Sequence, residues 1–299
     1  MKLGMIGLGK MGSQLTARLI EAGHEVVATD HEQKNIASAA EAGAATVSNR
    51  DELVQKLGSP AIVWLMIPAQ FVKQEIEALL KLLPRDSIII DGGNSDFRDT
   101  KLHAETCQKA GVELVDVGTS GGVQGGQKGF SMMIGGDDAA FKTIEPAIKA
   151  LAQPDGYHHF GPSGAGHYVK MIHNGIEYGL MQAYAEGYRL LKEGQDYPEL
   201  DLAAAASTWQ NGSIIASSLN EDARQALNKD HQLEGVDGYV HESGEARWTL
   251  ETAKQQNIEL PVIQAALDVR LASQEGQINF GTKLLAAMRN VFGGHELNK

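Results

Sequence analysis

The chain has 299 residues, and at about 150 residues per domain it has room for two domains with separate cores. Apolar residues make up 42% and charged residues 21%, which excludes a disordered, collagen-like or disulfide-rich protein. The net charge of −12 argues against a nucleic acid partner, because phosphate backbones are bound by positive surfaces.

Cysteine content and hydropathy indicate a reducing compartment and no membrane anchor. Cys107 is the only cysteine, so the chain has no intrachain disulfide and no cysteine-built metal site. Glycines interrupt the apolar run at the N-terminus, and no later segment approaches the about 18 apolar residues of a membrane helix. We therefore expect a cytoplasmic protein with no signal peptide, no membrane span and no metal site.

Short apolar runs alternate with amphipathic stretches in the first half of the chain, which is typical of parallel strands joined by helices. The sequence predicts strands at residues 2–6, 25–30, 61–67, 87–91, 112–117, 131–134 and 157–160. Helices are expected in the gaps between them. This order predicts an α/β, Rossmann-type domain over residues 1–163, with a doubly wound and mostly parallel sheet.

The pattern changes at residue 164, where strand-like runs end and segments with a 3.6-residue period begin. Helices are predicted at residues 165–193, 201–219, 244–256 and 261–288. The stretch 220–241 is too irregular to assign. We expect an all-helical domain over residues 164–299, beginning with a helix that lies between the domains.

A dinucleotide fingerprint of the form G-x-G-x-x-G follows the first predicted strand and opens the first predicted helix. It reads Gly7-Leu8-Gly9-Lys10-Met11-Gly12. Gly7 permits the tight turn, Gly9 lets the backbone approach a pyrophosphate, and Gly12 allows the helix to pack closely. Asp30 ends the second predicted strand, where a carboxylate accepts ribose hydroxyl hydrogens and repels a 2′-phosphate. Asp30 and His31 therefore predict NAD rather than NADP, although a surface aspartate is the simpler alternative.

The helix predicted at residues 165–193 carries a polar stripe. Its members stand at i, i+3, i+4 and i+7 and so share one face: Lys170, His173, Asn174 and Glu177. Another face carries apolar residues: Val169, Ile172, Ile176 and Leu180. The stripe offers a base, an acid and two hydrogen-bonding groups, whereas its ordinary explanation is a solvated surface with ion pairs. Because the flanking residues are apolar or small, we favour a buried stripe with a function.

Two loops follow later strands of the predicted sheet, at the edge where open α/β sheets bind ligands. Residues 118–126 form a glycine-rich segment whose backbone amides can wrap an anion, although such segments are often plain connectors. Residues 91–95 place Asn94 at the same edge.

Together these motifs resemble the β-hydroxyacid dehydrogenase superfamily, and within it the short, NAD-type form of the decarboxylating 6-phosphogluconate dehydrogenase family. The resemblance rests on the fingerprint, on residues 91–100, on Ser120-Gly121-Gly122 and on residues 170–178. Further matches are Arg247-Trp248-Thr249, Arg270 and the segment from Arg289 to His295. The chain departs from many members at Asp30 and His31, where they have an Asn-Arg pair, and at Arg247, where long members have lysine.

The resemblance implies oxidation and decarboxylation of 6-phosphogluconate to ribulose 5-phosphate and CO2, a step of the pentose phosphate pathway, with NAD as cofactor. It implies that Lys170 is the base for the C3 hydroxyl and that Glu177 protonates C1 of the product. The implied contacts of the substrate carboxylate and hydroxyls are Asn94, Ser120, Gly121, Gly122, His173 and Asn174. The implied contacts of its phosphate are Tyr178, Arg247, Thr249, Arg270 and Arg289, with His295 on a nearby oxygen. The implied cofactor contacts are the fingerprint, Asp30, Met66, Ile67 and Asn94.

The resemblance also implies at least a homodimer, because the family's C-terminal tail reaches the substrate of a neighbouring subunit. A homotetramer, and a tail that folds back onto its own subunit, stay open. So do two other functions. Another dehydrogenase of the superfamily, acting for example on 3-hydroxyisobutyrate, would share Lys170 but would not need the arginines or His295. A noncatalytic NAD-binding regulatory protein would keep the glycines but would not need Lys170 or Glu177.

Overall fold

The computed structural model describes residues 1–294 and Leu297. Contacts between residues divide the chain into two units, residues 1–171 and 172–299. The sequence-based boundary between residues 163 and 164 stays a prediction about where an independently folding domain would end.

An eight-stranded sheet forms the centre of the first unit. Its strands are β1 (Lys2–Ile6), β2 (Glu25–Thr29), β3 (Ala45–Thr46), β4 (Ile62–Leu65), β5 (Ile88–Asp91), β6 (Glu113–Ser120), β7 (Phe130–Gly135) and β8 (Ala152–His159). They lie in the order β3-β2-β1-β4-β5-β6-β7-β8, and all neighbours are parallel except β6 and β7. The chain starts at β1 and winds outward in both directions, so the predicted doubly wound, mostly parallel sheet is confirmed.

Helices cover both faces of this sheet. They are α1 (Lys10–Glu21), α2 (Gln33–Glu41), α3 (Arg50–Leu57), α4 (Ala69–Leu79), α5 (Phe97–Ala110), α6 (Gly122–Lys128) and α7 (Asp138–Leu151). Successive side chains of β1 point to opposite faces of the sheet and so belong to two separate cores. Leu3 and Met5 pack with residues of α1, α2 and α7, whereas Ile6 packs with residues of α3, α4 and α5. Burial on both faces explains why these strands read as continuous apolar runs.

The structure corrects the prediction at three places in this unit. Strand β3 is missed because two residues carry no periodicity. Residues 122–126, expected as part of a glycine-rich loop, belong to the short helix α6, which the sequence does not reveal because glycines are poor helix formers. Strand β8 begins at Ala152 and not at residue 157 as predicted. Pro154 and Gly156 are typical turn residues, but here they lie within an edge strand, where they are tolerated.

The described residues of the second unit form helices joined by loops, with no strand among them. Helix α8 (Ala165–Glu193) begins in the first unit and continues into the second, with the bounds that the sequence predicts. It is followed by α9 (Leu202–Gln210), α10 (Ser218–Lys229), α11 (Glu245–Gln255), α12 (Pro261–Gln274) and α13 (Phe280–Gly293). Residues of α8, α9, α10 and α13 form the core of this unit. Across residues 1–294, none of the helices combines the length and the apolar character that spanning a bilayer requires.

The prediction of one continuous helix is wrong for two segments of this unit. The segment 201–219 breaks after Gln210, Gly212 takes a positive φ of 100°, and Ser217 caps α10, which fills part of the stretch left unassigned. The segment 261–288 is two helices, because Gly276 ends the first and Asn279 begins a capping box for the second. The prediction overlooks these signals because the apolar period continues on both sides of each break.

Candidate active site

The glycine-rich turn between β1 and α1 excludes side chains at two positions. Gly7 has a φ of +96°, and a Cβ there would overlap the carbonyl oxygen of Met66. A Cβ on Gly12 would overlap the carbonyl oxygen of Gly7. Gly9 has nothing within 4 Å of its Cβ position, so a ligand can approach the backbone on that side. These features fit a dinucleotide, whose pyrophosphate needs close contact with backbone amides at the start of a helix.

Asp30 directly follows β2, and its carboxylate is tied to this turn. It accepts hydrogen bonds from the amide of Leu8 at 2.5 Å, from the amide of Glu32 at 2.7 Å and from the side chain of Asn35 at 3.2 Å. The side chain of His31, next to it, is 86% exposed. A carboxylate has about four acceptor sites. Nδ1 of His31 also lies 3.2 Å from this carboxylate, so all four sites have a partner, and Asp30 can accept ribose hydroxyls only where an existing contact, such as that of the exposed His31, is released.

Other predicted site residues lie at the carboxyl ends of neighbouring strands. Met66 and Ile67 follow β4, and Asn94 follows β5. Asp91 shapes the turn before Asn94 by accepting hydrogen bonds from the amide of Gly93 at 3.1 Å and the hydroxyl of Ser95 at 2.7 Å. Because β4, β5 and β6 are parallel neighbours, these ends meet at one edge of the sheet. Strand β6 ends there at Ser120, and Gly121 and Gly122 lead from it into α6.

Lys170 is buried in the second turn of α8, beside strand β6. It is 7% exposed, and a Cβ on Gly118 would overlap the lysine side chain, so this glycine makes room for it. Asp116 on the same strand accepts hydrogen bonds from the amides of Gly164 at 2.6 Å and His167 at 2.7 Å. A carboxylate satisfies the amides that lack partners at a helix N-terminus. Strand β6 thus fixes the start of α8 and, with it, the position of Lys170.

In the second unit, a buried hydrogen-bond chain joins α8 to α11. Asn174 donates from Nδ2 to Oε1 of Glu245 at 3.0 Å, and its Oδ1 lies 2.9 Å from Nδ1 of His173. Oε2 of Glu245 is buried without a hydrogen-bond partner among the described residues. Gly175 allows the close approach, since a Cβ there would lie 3.1 Å from the methyl of Thr249.

The apolar face expected on α8 is not part of the core. Ile176 and Leu180 are 53% and 52% exposed, and Leu190 farther along the helix is 74% exposed. Lys170 and Asn174 on the polar stripe are buried instead. This is the reverse of an ordinary surface helix. Solvated ion pairing therefore does not explain the stripe.

Two arginines of the second unit are buried without an acidic partner. Arg270 on α12 is 2% exposed and Arg289 on α13 is 6% exposed, and neither forms an ion pair with any described residue. The Arg270 guanidinium lies over the ring of Tyr178, 3.2 Å from its centroid, and one of its nitrogens lies 3.6 Å from the sulfur of Met181. Burial lowers the pKa of Arg270 to about 10, and the charge of Arg289 acts in the same direction. Unpaired buried cations are costly, so this arrangement is typical of a preformed site for an anion.

The remaining predicted phosphate contacts differ from this pair. Arg247 is 55% exposed and forms an ion pair with Glu242. Thr249 donates its hydroxyl to the carbonyl oxygen of Glu245 at 2.8 Å. Glu177, half-buried, lies close enough to Arg270 and Arg289 that its charge counters the lowering of both pKa values. His295 lies outside the described residues.

Two family models match consecutive parts of the chain. The NAD binding domain of 6-phosphogluconate dehydrogenase matches residues 2–167, and the C-terminal domain of 6-phosphogluconate dehydrogenase matches residues 166–279. The chain belongs to the 6-phosphogluconate dehydrogenase family. The first model also establishes that residues 2–167 form a nicotinamide dinucleotide-binding domain.

Relatives within and beyond the 6-phosphogluconate dehydrogenase family differ in length. A Haloferax volcanii protein named as an NAD(+)-dependent, decarboxylating 6-phosphogluconate dehydrogenase is 42% identical, over 99% of this chain and 98% of its own. A Plasmodium falciparum 6-phosphogluconate dehydrogenase, solved with NADP+ and with 6-phosphogluconate, has a TM-score of 0.84 and 29% identity, over 93% of this chain but 63% of its own. A Mycobacterium tuberculosis 3-hydroxyisobutyrate dehydrogenase has a TM-score of 0.72 and 20% identity, over 95% of this chain and 97% of its own, which shows the shared fold alone.

Three buried carboxyl groups of this 6-phosphogluconate dehydrogenase family member escape the sequence analysis: Asp116, Glu245 and Asp222. Burial raises the pKa of Asp222 on α10 to about 7, with Glu221 and Glu177 acting in the same direction, and its Oδ1 has no partner among the described residues. Asp116 has a signal, since it is a lone charge inside an apolar strand. Glu245 and Asp222 have none, because acidic residues near helix starts are ordinary.

Proposed function

We propose that this protein oxidises and decarboxylates 6-phosphogluconate to ribulose 5-phosphate and CO2, with NAD as the oxidant. The buried pair Arg270 and Arg289 carries this proposal. A dianionic phosphate supplies the charge that the pair lacks, and each charge-assisted contact contributes about 1.5 to 3 kcal/mol. An unphosphorylated substrate such as 3-hydroxyisobutyrate would leave both guanidinium groups buried and unpaired, which disfavours that alternative.

The proposed reaction begins at the C3 hydroxyl of the substrate. Lys170, in its neutral form, takes the hydroxyl proton as hydride leaves C3. Bound NAD supplies the hydride acceptor, and the residues of the Gly7 to Gly12 turn would hold it. The resulting 3-keto acid loses its carboxylate as CO2 while Lys170 returns the proton to the keto oxygen, so the bonding electrons end in an enediol. Glu177, in its acid form, then protonates the carbon that becomes C1 of ribulose 5-phosphate, while neutral Lys170 takes the proton of the enol hydroxyl that becomes the C2 carbonyl.

The remaining predicted contacts would hold the carboxylate and the hydroxyls of the substrate and complete its phosphate site. Ser120 and the amides of Gly121 and Gly122 would hold the carboxylate. Asn94, His173 and Asn174 would orient the hydroxyls, and the hydrogen bond from Asn174 to Glu245 would fix the rotamer of that amide. Tyr178 and Arg247 would complete the phosphate site.

The preference for NAD over NADP is supported by two observations. The carboxylate of Asp30 places a negative charge beside the dinucleotide turn, where it would repel a 2′-phosphate. The relative from Haloferax volcanii is named as NAD(+)-dependent, whereas the one from Plasmodium falciparum was solved with NADP+. A kcat/KM higher with NADP than with NAD would contradict this part of the proposal.

One assay separates the candidate functions. NADH formation and CO2 release are measured with 6-phosphogluconate, gluconate and 3-hydroxyisobutyrate in parallel. We expect turnover of 6-phosphogluconate, and a kcat/KM for the other two that is lower by at least about 100-fold, the value of two lost phosphate contacts at the low end. Faster turnover of 3-hydroxyisobutyrate would identify the other dehydrogenase. NAD binding without turnover of any substrate would identify a regulatory protein.

The proposal includes a homo-oligomer, either a dimer or a tetramer. The exposed apolar face of α8, formed by Ile176, Leu180 and Leu190, supports it, because monomers rarely leave such a row in water. Sedimentation velocity measures the assembly, and a charged substitution at Leu180 should dissociate it. A monomeric wild-type protein at micromolar concentration would refute it.

A further inference from the structure

Helix α6 has few contacts of its own that could keep it in place. Three of its seven residues are glycines, Gly125 is its one buried residue, and Val123 is 45% exposed. Each glycine lowers helix stability by about 1 kcal/mol relative to alanine, and a two-turn helix is not stable alone. Neighbouring elements must therefore hold α6.

Helix α1 contributes two side chains, one turn apart, to this task. The Arg18 guanidinium donates to the carbonyl oxygens of Gly126 at 3.3 Å and Gln127 at 3.5 Å, in the last turn of α6. It also donates to the carbonyl oxygen of Ala150 at 3.4 Å, in the last turn of α7. Carbonyls in a last turn have no partner within their helix, and a cation there complements the helix dipole. A single arginine thus joins the ends of α6 and α7 to α1.

Gln14 makes the second contact. A Cβ on Gly126 would lie 2.6 Å from Oε1 of Gln14, so this glycine allows the two helices to touch. Oε1 of Gln14 and Nε of Arg18 are both buried and have no hydrogen-bond partner among the described residues. Buried polar atoms without partners are rare and costly, and apolar side chains would have packed this junction more stably. The polar pair therefore indicates a role beyond packing.

The position of this junction suggests that role. Helix α1 begins at the dinucleotide turn, and α6 begins directly after Ser120 and Gly121. A movement of α6 relative to α1 would displace the backbone amides that would bind the substrate carboxylate.

We propose that Arg18 and Gln14 are positioning residues for the substrate carboxylate, which hold α6 in register with the cofactor-binding helix. The inference rests on the proposed function for the identity of the substrate. A positioning role for Arg18 and Gln14 predicts a selective effect on one ligand, whereas a purely structural role would affect every ligand of the site. Ribulose 5-phosphate has the same phosphate but no carboxylate, so loosening α6 should weaken binding of 6-phosphogluconate and leave binding of ribulose 5-phosphate unchanged.

The test compares Arg18→Met with wild type by titration calorimetry, without NAD so that no turnover occurs. We expect the Kd of 6-phosphogluconate to rise about tenfold, the value of one lost hydrogen bond. The Kd values of ribulose 5-phosphate and NAD should change less than about twofold, because neither ligand loses a hydrogen bond. Arg50→Met is the matched control, because Arg50 lies in the same unit and pairs only at the surface, with Glu75. It should change none of the three.

A second route covers the case that Arg18→Met does not fold. Gln14→Ala removes the other contact between α1 and α6 and should cause the same selective loss of affinity for 6-phosphogluconate. Equal loss for both ligands, or no loss for either, would overturn the positioning role while wild type still binds 6-phosphogluconate. If wild type binds neither sugar phosphate, the proposed function itself fails.

Discussion

Replacing Arg270 by methionine should make the ligand-free protein more stable. Burial holds the pKa of Arg270 at about 10, roughly two units or more below that of a solvated arginine, so keeping the charge at neutral pH costs the folded state about 3 kcal/mol. The loss of the cation over the Tyr178 ring, a desolvated pair, offsets about 2 kcal/mol of that gain. We expect the free energy of unfolding to rise by about 1 kcal/mol.

The pH dependence of this gain has a definite sign. The unfolded chain binds the Arg270 proton more tightly than the folded protein does, so the wild type recovers stability only as the pH rises above about 10. Below that pH the guanidinium is charged in both states and the cost is constant. The difference between variant and wild type should therefore be the same at pH 6 and at pH 9.

The same substitution should weaken the binding of 6-phosphogluconate. The loss of one charge-assisted contact of about 1.5 to 3 kcal/mol raises the Kd about 10- to 150-fold. Binding of NAD should not change, since the fingerprint and Asp30 lie in the first unit. Urea unfolding of the ligand-free protein and titration calorimetry measure the two effects, with Arg50→Met as control. A variant that is less stable than wild type and binds 6-phosphogluconate equally well would refute the reasoning, because Arg270 would then be a structural residue.

Four further predictions concern the cofactor, the base, a buried acid and the tail. Asp30→Asn combined with His31→Arg should raise the ratio of kcat/KM for NADP to that for NAD by about tenfold or more, since a repulsive charge is removed and a phosphate partner added; an unchanged ratio contradicts the role of Asp30. Lys170→Met should lower the rate of oxidation by at least about 100-fold with NAD affinity intact, and near-wild-type turnover would exclude Lys170 as the base. The wild type should lose stability as the pH rises from about 4 to about 7, because the pKa of Asp222 is about 7 in the folded protein and 3.8 ordinarily. Asp222→Asn should remove this loss, so the free energies of unfolding of variant and wild type should differ by at most about 4 kcal/mol at pH 8. Parallel melting-temperature profiles of the two proteins over this range would refute the prediction. Because Arg289 lies near Arg270 of its own chain, mixing Arg289→Ala chains with Lys170→Met chains should restore no activity, and recovery in mixed oligomers would show that Arg289 acts on the site of a neighbouring subunit.

The sequence predicts those parts of the fold that depend on local periodicity. Strand β1 and helix α8 have the predicted bounds, because each combines a regular pattern with clear end signals. Gly212 and Gly276 are turn residues that mark the two helix breaks. In a single sequence, the apolar period that continues on both sides of each glycine is the stronger signal and predicts one long helix. Helix α6 escapes for the opposite reason, since its stability comes from α1 and not from its own residues.

The candidate site likewise has parts that the local sequence predicts and parts that depend on packing. The fingerprint can be predicted because three glycines and a strand end are fixed by the backbone geometry that a pyrophosphate requires. The resemblance names Arg270 and Arg289, yet their burial without an ion pair to any described residue depends on how α12 and α13 pack, which no spacing reveals. The contact of Asp30 with Leu8 and the cap that Asp116 provides for α8 likewise depend on residues distant in the chain.

The second unit keeps polar groups where a stable fold would have apolar ones. Arg270 and Arg289 are buried as unpaired cations, Asp222 and Glu245 each keep a carboxylate oxygen without a partner among the described residues, and Leu190 is exposed. Every one of these features lowers the stability of the isolated, ligand-free chain. Natural proteins retain such costs mainly where function requires them. An anion would neutralise the arginines and a second subunit would cover the exposed leucine, so the binding of each should stabilise the fold by mass action. The pattern of destabilising residues therefore supports the proposal that ligand and partner act on these surfaces of the second unit.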